Sequence, residues 1–266
     1  MTGKHNRFRG KKSIMDQNSP LSTIQRAFEI LDYLWELDGA GPTELAEQMD
    51  LPNSTVYDYL RTLSETKYVT RENGEYFLST YFLTIGGEMK KRNRLFQVAK
   101  PEMKRVAAAT DELIGLTIEN GGVGVVFHQE EGQQALSVGT YPGAAHPLHT
   151  ISTGKVILAY LPEERVDEII STRGLEQRTQ YTITDPDRLK AELEEIRKTG
   201  YAVDWNEQVV GLGMMAVPIL IDERVIGSFG IAAPTERLQN ESRRETLLQE
   251  LRELENTVTV NYQYGN

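Results

Sequence analysis

The chain has 266 residues, 39% apolar and 26% charged, with 22 Gly, 10 Pro and no Cys. That is globular composition with length for two compact domains, and it excludes collagen-like, disordered and disulfide-stapled classes. The absence of cysteine also removes thiol nucleophiles, thiolate metal sites and iron–sulfur clusters, and no window approaches the roughly eighteen apolar residues of a membrane span. The expected setting is the cytoplasm, with no membrane partner.

A net charge of −10 argues at first against a polyanionic partner. The charge is unevenly spread, however. Residues 1–100 carry 14 basic and 13 acidic groups, and residues 101–266 carry 15 and 26. The excess belongs to the second part, which points to two parts with different tasks.

Residues 1–19 hold Lys4, Arg7, Arg9, Lys11 and Lys12 against Asp16 alone and show no apolar periodicity. They read as a flexible basic arm suited to phosphate contacts. From Leu21, apolar residues recur at three- and four-residue steps (Ile24, Ala27, Phe28, Leu31, Leu34), and Asp38-Gly39-Ala40-Gly41 ends that helix. Pro42 suits a first helical position, with Glu44 in the first turn and Leu45 and Met49 on the buried side of a short second helix. A third helix starts near Ser54, buries Val56, Leu60 and Leu63, and ends before Lys67. Tyr68–Arg71 and Tyr76–Leu78 flank Asn73-Gly74, the favoured pair for a tight hairpin turn.

Three helices and a hairpin describe a winged helix-turn-helix over residues 20–87, whose partner is double-stranded DNA. The outward positions of the third helix, Ser54, Thr55, Tyr57, Asp58, Arg61 and Thr62, are short or hydrogen-bonding, whereas a merely solvated helix carries Lys/Glu pairs. With Arg71 and Asn73 of the wing they form the expected DNA-reading set. Residues 20–89 hold only four basic groups against twelve acids, so phosphate neutralisation falls to the flanks, the arm and residues 90–105.

Residues 88–109 read as one connecting helix, basic on one side, with Leu95, Val98, Met103 and Val106 as an apolar stripe for dimerisation and Pro101 as its kink. Beyond Thr110, strands are expected at 114–119, 123–128, 135–138, 217–221 and 225–231, and helices at 154–161, 162–171, 186–199 and 241–257. The helix from Pro186 is capped by Asp185, and the last one packs Leu247, Leu248, Leu251 and Leu254. Residues 110–266 thus form an α/β domain with an antiparallel sheet, and the chain as a whole is α+β. No G-x-S-x-G elbow or H-E-x-x-H occurs. The spacing of His146 and His149, with Pro147 between them, does not suit a metal. The expectation is no enzyme, no metal and no cofactor.

Three stretches, TELAEQMDLPNSTVYDYLRTLSETKYV (43–69), PLHTISTGKVILAYL (147–161) and GYAVDWNEQVVGLGMMAVPILIDERVIGSFGIAAP (200–234), resemble the IclR-type family of transcriptional regulators. The resemblance spans roughly residues 22–257. It implies a winged helix-turn-helix, a linker helix used in dimerisation and a GAF-like effector-binding domain, with assembly as homodimers or dimers of dimers and a small organic acid or aromatic compound as effector. Matching positions carry the family's effector pocket onto Ser152, Thr153, Asp204, Leu212, Met214, Gly230 and Ala232. At 214 several relatives have Cys, and at 230 and 232 some acid-binding relatives have Ser. These departures make the pocket wall more apolar and predict a less polar or larger effector than a small keto acid. The residues themselves add that Ser152 and Thr153 lead into a helix whose free N–H groups suit a carboxylate. The rival expectation is a constitutive architectural or basal DNA-binding factor whose second domain only dimerises.

Overall fold

The structure, a computed structural model, describes residues 21–265. The basic arm of residues 1–19 lies outside the described residues. Two compact units divide after Met89.

The first unit opens with α1 (Ser22–Leu37), α2 (Pro42–Met49) and α3 (Asn53–Ser64), then pairs β1 (Val69–Glu72) with β2 (Glu75–Leu78). Each boundary has a local cause. Pro42 occupies the first turn of α2, and Asp38 and Asp50 close α1 and α2 in the left-handed conformation, which Asp tolerates better than most side chains. Asn73 and Gly74 both have positive φ, 52° and 93°, as the mirror-image hairpin turn requires. Ile30, Leu34, Leu45, Val56, Leu60, Val69 and Tyr76 form the core, and Ala40 bridges to Tyr76 beside the hairpin. The unit is a winged helix-turn-helix.

The connecting stretch is not one helix over 88–109. It is divided into α4 (Tyr81–Arg92) and α5 (Arg94–Thr110), and the break lies at Asn93, whose side chain accepts the Phe96 N–H and so restarts the helix. Pro101 sits inside α5. Leu95, Met103 and Val106, expected as a dimerisation stripe, are buried in the second unit's own core, and Val98 packs against it.

That unit is built on one antiparallel sheet of six strands in the order β5-β4-β3-β8-β7-β6: β3 (Leu113–Asn120), β4 (Val123–Glu131), β5 (Ala145–Pro147), β6 (Ala202–Trp205), β7 (Leu212–Ile221) and β8 (Arg224–Pro234). Period-two alternation gives each strand two working faces. Ile114 and Leu116, Met215, Val217 and Ile219, and Phe229, Ile231 and Ala233 meet α5 and α10 (Glu241–Tyr264) on one side. The other side carries α6 (Ser152–Tyr160), which packs on β7 and β8, with α7 (Glu163–Arg173) and α8 (Pro186–Thr199) outside it. Asp185 caps α8, its carboxylate accepting the Arg188 N–H at 2.8 Å. The short α9 (Thr235–Gln239) precedes α10. Buried Glu112 at the start of β3 accepts two hydrogen bonds from Arg237 of α9, at 2.7 and 2.8 Å, which ties sheet to helix.

Two expectations need correction. Residues 135–138 are irregular rather than a strand, because Ala135, Leu136 and Val138 all fold onto the small Leu113–Leu212–Ala232 cluster instead of alternating between two faces. The last helix runs seven residues past Thr257 and buries Val258, while Leu248 is only partly buried.

Candidate functional site

The winged unit offers α3 as a reading element. Val56 and Leu60 hold one side of the helix in the core, which leaves Ser54, Tyr57, Asp58, Arg61 and Thr62 exposed and Thr55 half-buried. Thr62 donates to the Asp58 carbonyl at 2.8 Å. Asp58 and Arg61 do not pair across the helical turn, and among the described residues both head groups are free for a partner. In the wing, Arg71 and Asn73 are exposed, and the Arg71 guanidinium lies 5.4 Å from the Tyr76 ring centroid. At the base of the wing, Lys67 and Arg71 share an open groove with Ser64, Thr66, Thr70 and Ser79, a lining without carboxylates in an otherwise acidic unit.

The second unit holds a cavity of about 90 Å³ between the sheet and the start of α6. Strand register explains its lining. Leu113, Ala232, Met214 and Asp204 are paired in one row across β3, β8, β7 and β6, and Gly115 and Gly230 stand in the next row. Thr153, Leu212, Met214, Gly230 and Ala232 therefore meet at the cavity wall, five of the seven expected positions.

Ser152 and Asp204 do not line it. Ser152 is fully buried in the first turn of α6, its hydroxyl without a partner. Asp204 ends its row outside the cavity, because its carboxylate accepts the Glu207 N–H at 2.8 Å. There it belongs to a second cluster. Lys155, fully buried on α6, donates to Glu207 at 2.5 Å and to Glu192 at 2.7 Å. Burial pushes the Asp204 carboxyl up to about 7, and burial likewise raises Glu207 against the pull of Lys155.

Several wall residues were not anticipated: Thr117, Gln129, Thr140, His146 and Gln208. Gln129 owes its place to a bulge. The register of β3 and β4 shifts between Leu116 and Thr117, which pair with His128 and Val126 and leave Phe127 as the extra residue. Phe127 and His128 consequently both reach Phe96 of α5, with ring centroids 6.4 and 5.0 Å away, and Gln129 returns to the cavity side. His146 lies in the wall, whereas His149 is buried with Nε2 3.0 Å from the Glu176 carbonyl. Among the described residues no group of acidic and histidine side chains forms a metal cluster, and no helix is long and apolar enough to cross a membrane.

Comparison with known families decides what these two units are. Residues 23–73 match the IclR helix-turn-helix domain, and residues 88–260 match the bacterial transcriptional regulator IclR C-terminal domain. The chain belongs to the IclR family. It is 31% identical over 234 residues to the HTH-type transcriptional regulator KdgR of Dickeya chrysanthemi, a match covering 86% of this chain and 76% of that protein. The crystal structure of the Thermotoga maritima IclR superposes with a TM-score of 0.72 at 28% identity, over 92% of this chain and all of that one. An IclR homolog from Microbacterium hydrocarbonoxydans, solved with 4-hydroxybenzoate, has the same fold, with a TM-score of 0.76 at 23% identity over 92% and 99% of the two chains. This IclR-family protein is accordingly a DNA-binding transcriptional regulator and not an enzyme.

Within the IclR frame, glycine at 230 has a local cause. A Cβ there would lie 2.5 Å from Thr153 Cγ2, so the Thr153 methyl on α6 fills that space and the strand opposite must be bare. Gly230→Ala is expected to cost about 1–3 kcal/mol through overpacking. Adding Thr153→Ser, which removes that methyl, should recover most of the loss in denaturant unfolding.

Proposed function

We propose that this regulator binds a roughly palindromic operator as a homodimer and that a small organic acid or aromatic effector, held in the cavity beside α6, modulates that binding. The carrying observation is the cavity itself, set between sheet and helix, whose mostly apolar wall includes the polar residues Thr153, Gln129, Thr140, His146 and Gln208. A largely apolar pocket with a few polar side chains in its wall is the usual form of a small-molecule site. The aromatic acid bound by the Microbacterium homolog is in keeping with this reading.

On the DNA side, Ser54, Thr55, Tyr57, Asp58, Arg61 and Thr62 of α3 face the major groove, and Arg71 and Asn73 of the wing meet backbone or minor groove. Paired α3 helices reach half-sites about one helical turn apart, or a multiple of it. Since the core stripe of α5 is occupied within its own unit, the apolar surface for pairing two copies is that of α4, where Phe82, Leu83, Ile85 and Met89 are exposed, Leu83 at 77%. An effector that binds better to one spacing of the two reading heads shifts the equilibrium toward it, and that differential affinity is the coupling.

Gel shifts on the DNA upstream of the protein's own gene, run across salt concentrations with wild type and Arg61→Ala, test the reading. The expected result is a specific complex with shallow salt dependence, given the acidity of the reading unit. Arg61→Ala should weaken it by about 1–3 kcal/mol and relax preference at one base position. No specific complex at any salt would overturn the proposal, and a uniform loss with unchanged site preference would assign Arg61 to a phosphate.

A further inference from the structure

The reading helix carries a carboxylate on the face that a polyanion must approach. Val56, Leu60 and Leu63 of α3 lie against the core of the winged unit, and helical periodicity sets Asp58 within about 15° of the point diametrically opposite them. Asp58 therefore stands on the mid-line of the outward face, with Ser54 one turn before it and Arg61 one turn after. It is exposed, and among the described residues no cation or hydrogen-bond donor engages its carboxylate. Thr62 bonds only its backbone carbonyl. Asp58 is also too far from the start of α3 at Asn53 to cap the helix.

That position decides what the carboxylate can meet. When α3 enters the major groove, the phosphates line the two walls, and a side chain on the mid-line of the helix faces base edges. A carboxylate only accepts, so guanine and thymine, which present O6, N7 and O4 there, repel it. The donors available are cytosine N4 and adenine N6. Adenine sets N6 between its own N7 and the O4 of thymine, whereas cytosine N4 has an acceptor on one side alone, so a group with two accepting oxygens fits cytosine best. Arg61 follows about 4.5 Å further along the helix axis, little more than one base-pair step of about 3.4 Å, and its guanidinium suits guanine O6 and N7.

We infer that Asp58 determines specificity at one position of each half-site, where its carboxylate accepts from the N4 amino group of cytosine beside the base pair that Arg61 reads. The inference rests on the operator-binding reading above and adds to it the base that the acidic member of the reading set selects.

Selection of bound sequences from a random duplex library by full-length wild type, Asp58→Asn and Asp58→Ala tests it. Wild type is expected to enrich half-sites with cytosine next to guanine, and exchanging that cytosine should weaken binding about tenfold. Asp58→Asn should change the cytosine to adenine, whose N6 and N7 an amide matches. Asp58→Ala should bring the tenfold preference close to one. Both variants should keep the guanine position, which shows that α3 is intact. An identical motif in all three proteins, with the variants binding every sequence more tightly, would assign Asp58 to repulsion of phosphates and overturn the inference while the operator-binding reading stands. A base other than cytosine at the position that changes also overturns it, and so does loss of all selection by Asp58→Asn, since a contact to one base leaves the others readable. If wild type enriches no sequence at any salt, the operator-binding reading falls and takes the inference with it.

Discussion

Replacing Lys155 with Met is expected to destabilise the sheet-bearing unit by about 3–5 kcal/mol at pH 8, the cost of removing one partner from a buried ion pair. The ammonium is fully buried and is the cation between Glu207 and Glu192. Without it, Glu207 and neighbouring Asp204 stay in a low-dielectric space with their unpartnered oxygens, Oε2 and Oδ2. The loss should shrink toward pH 5, because both carboxyls already have raised pKa values and can take up protons in place of the missing cation. Glu207→Gln added to Lys155→Met should restore much of the stability. Denaturant unfolding of the three proteins at both pH values makes the check, and a loss below about 1 kcal/mol for the single variant at pH 8 would mean that the cluster is already hydrated or neutral. The variant also has a functional readout. Glu207 belongs to the loop that bears Gln208 and Val209, two residues of the cavity wall, and its carbonyl is held by Thr182 at 2.7 Å. Effector affinity should fall with the loop's anchorage.

What could be read from the sequence, and what could not, follows the range of the interactions involved. The winged unit was legible because its signals are local: a 3.6-residue apolar period, Pro42 at a helix start, and Asn73-Gly74 at a turn whose two positive φ angles the structure contains. Asn93 carried an equally local capping signal for the helix break, but the more conspicuous Pro101 drew attention to a kink eight residues later. The cavity was half legible. Alternation along β7 and β8 places Leu212, Met214, Gly230 and Ala232 on one face, and the family pattern pointed at those positions. Their partners depend on register between distant strands and on the extra residue at Phe127, which re-aims Gln129. Neither is encoded in any short window. Lys155 carries no local signal of burial for a related reason: a lysine after a glycine at a helix start reads as solvated, and only the packing of α6 between sheet and α8 buries it.

Asp204→Asn is expected to act in the opposite sense and only above acid pH. Folded Asp204 keeps its proton up to about pH 7, whereas the unfolded chain releases it near the ordinary value of 3.8. A group with a raised folded pKa contributes stability that is fully present below its unfolded pKa and is lost as pH rises through the folded value. Between about pH 4 and 7 this residue therefore drains stability from the wild type, by roughly 4 kcal/mol in total at about 1.4 kcal/mol per unit. Asparagine keeps the Oδ1 that accepts the Glu207 N–H and cannot ionise, so the variant should be more stable than wild type at pH 8 and no more stable at pH 4. Glu207, Glu192 and Lys155 form the rest of the cluster and remain in both proteins, so the difference between the two stability curves reports on position 204. Urea midpoints collected from pH 4 to pH 8 give that difference directly. A constant offset across the range would mean that the folded carboxyl ionises normally, its negative charge held by Lys155, and that Asp204 is an anion at working pH.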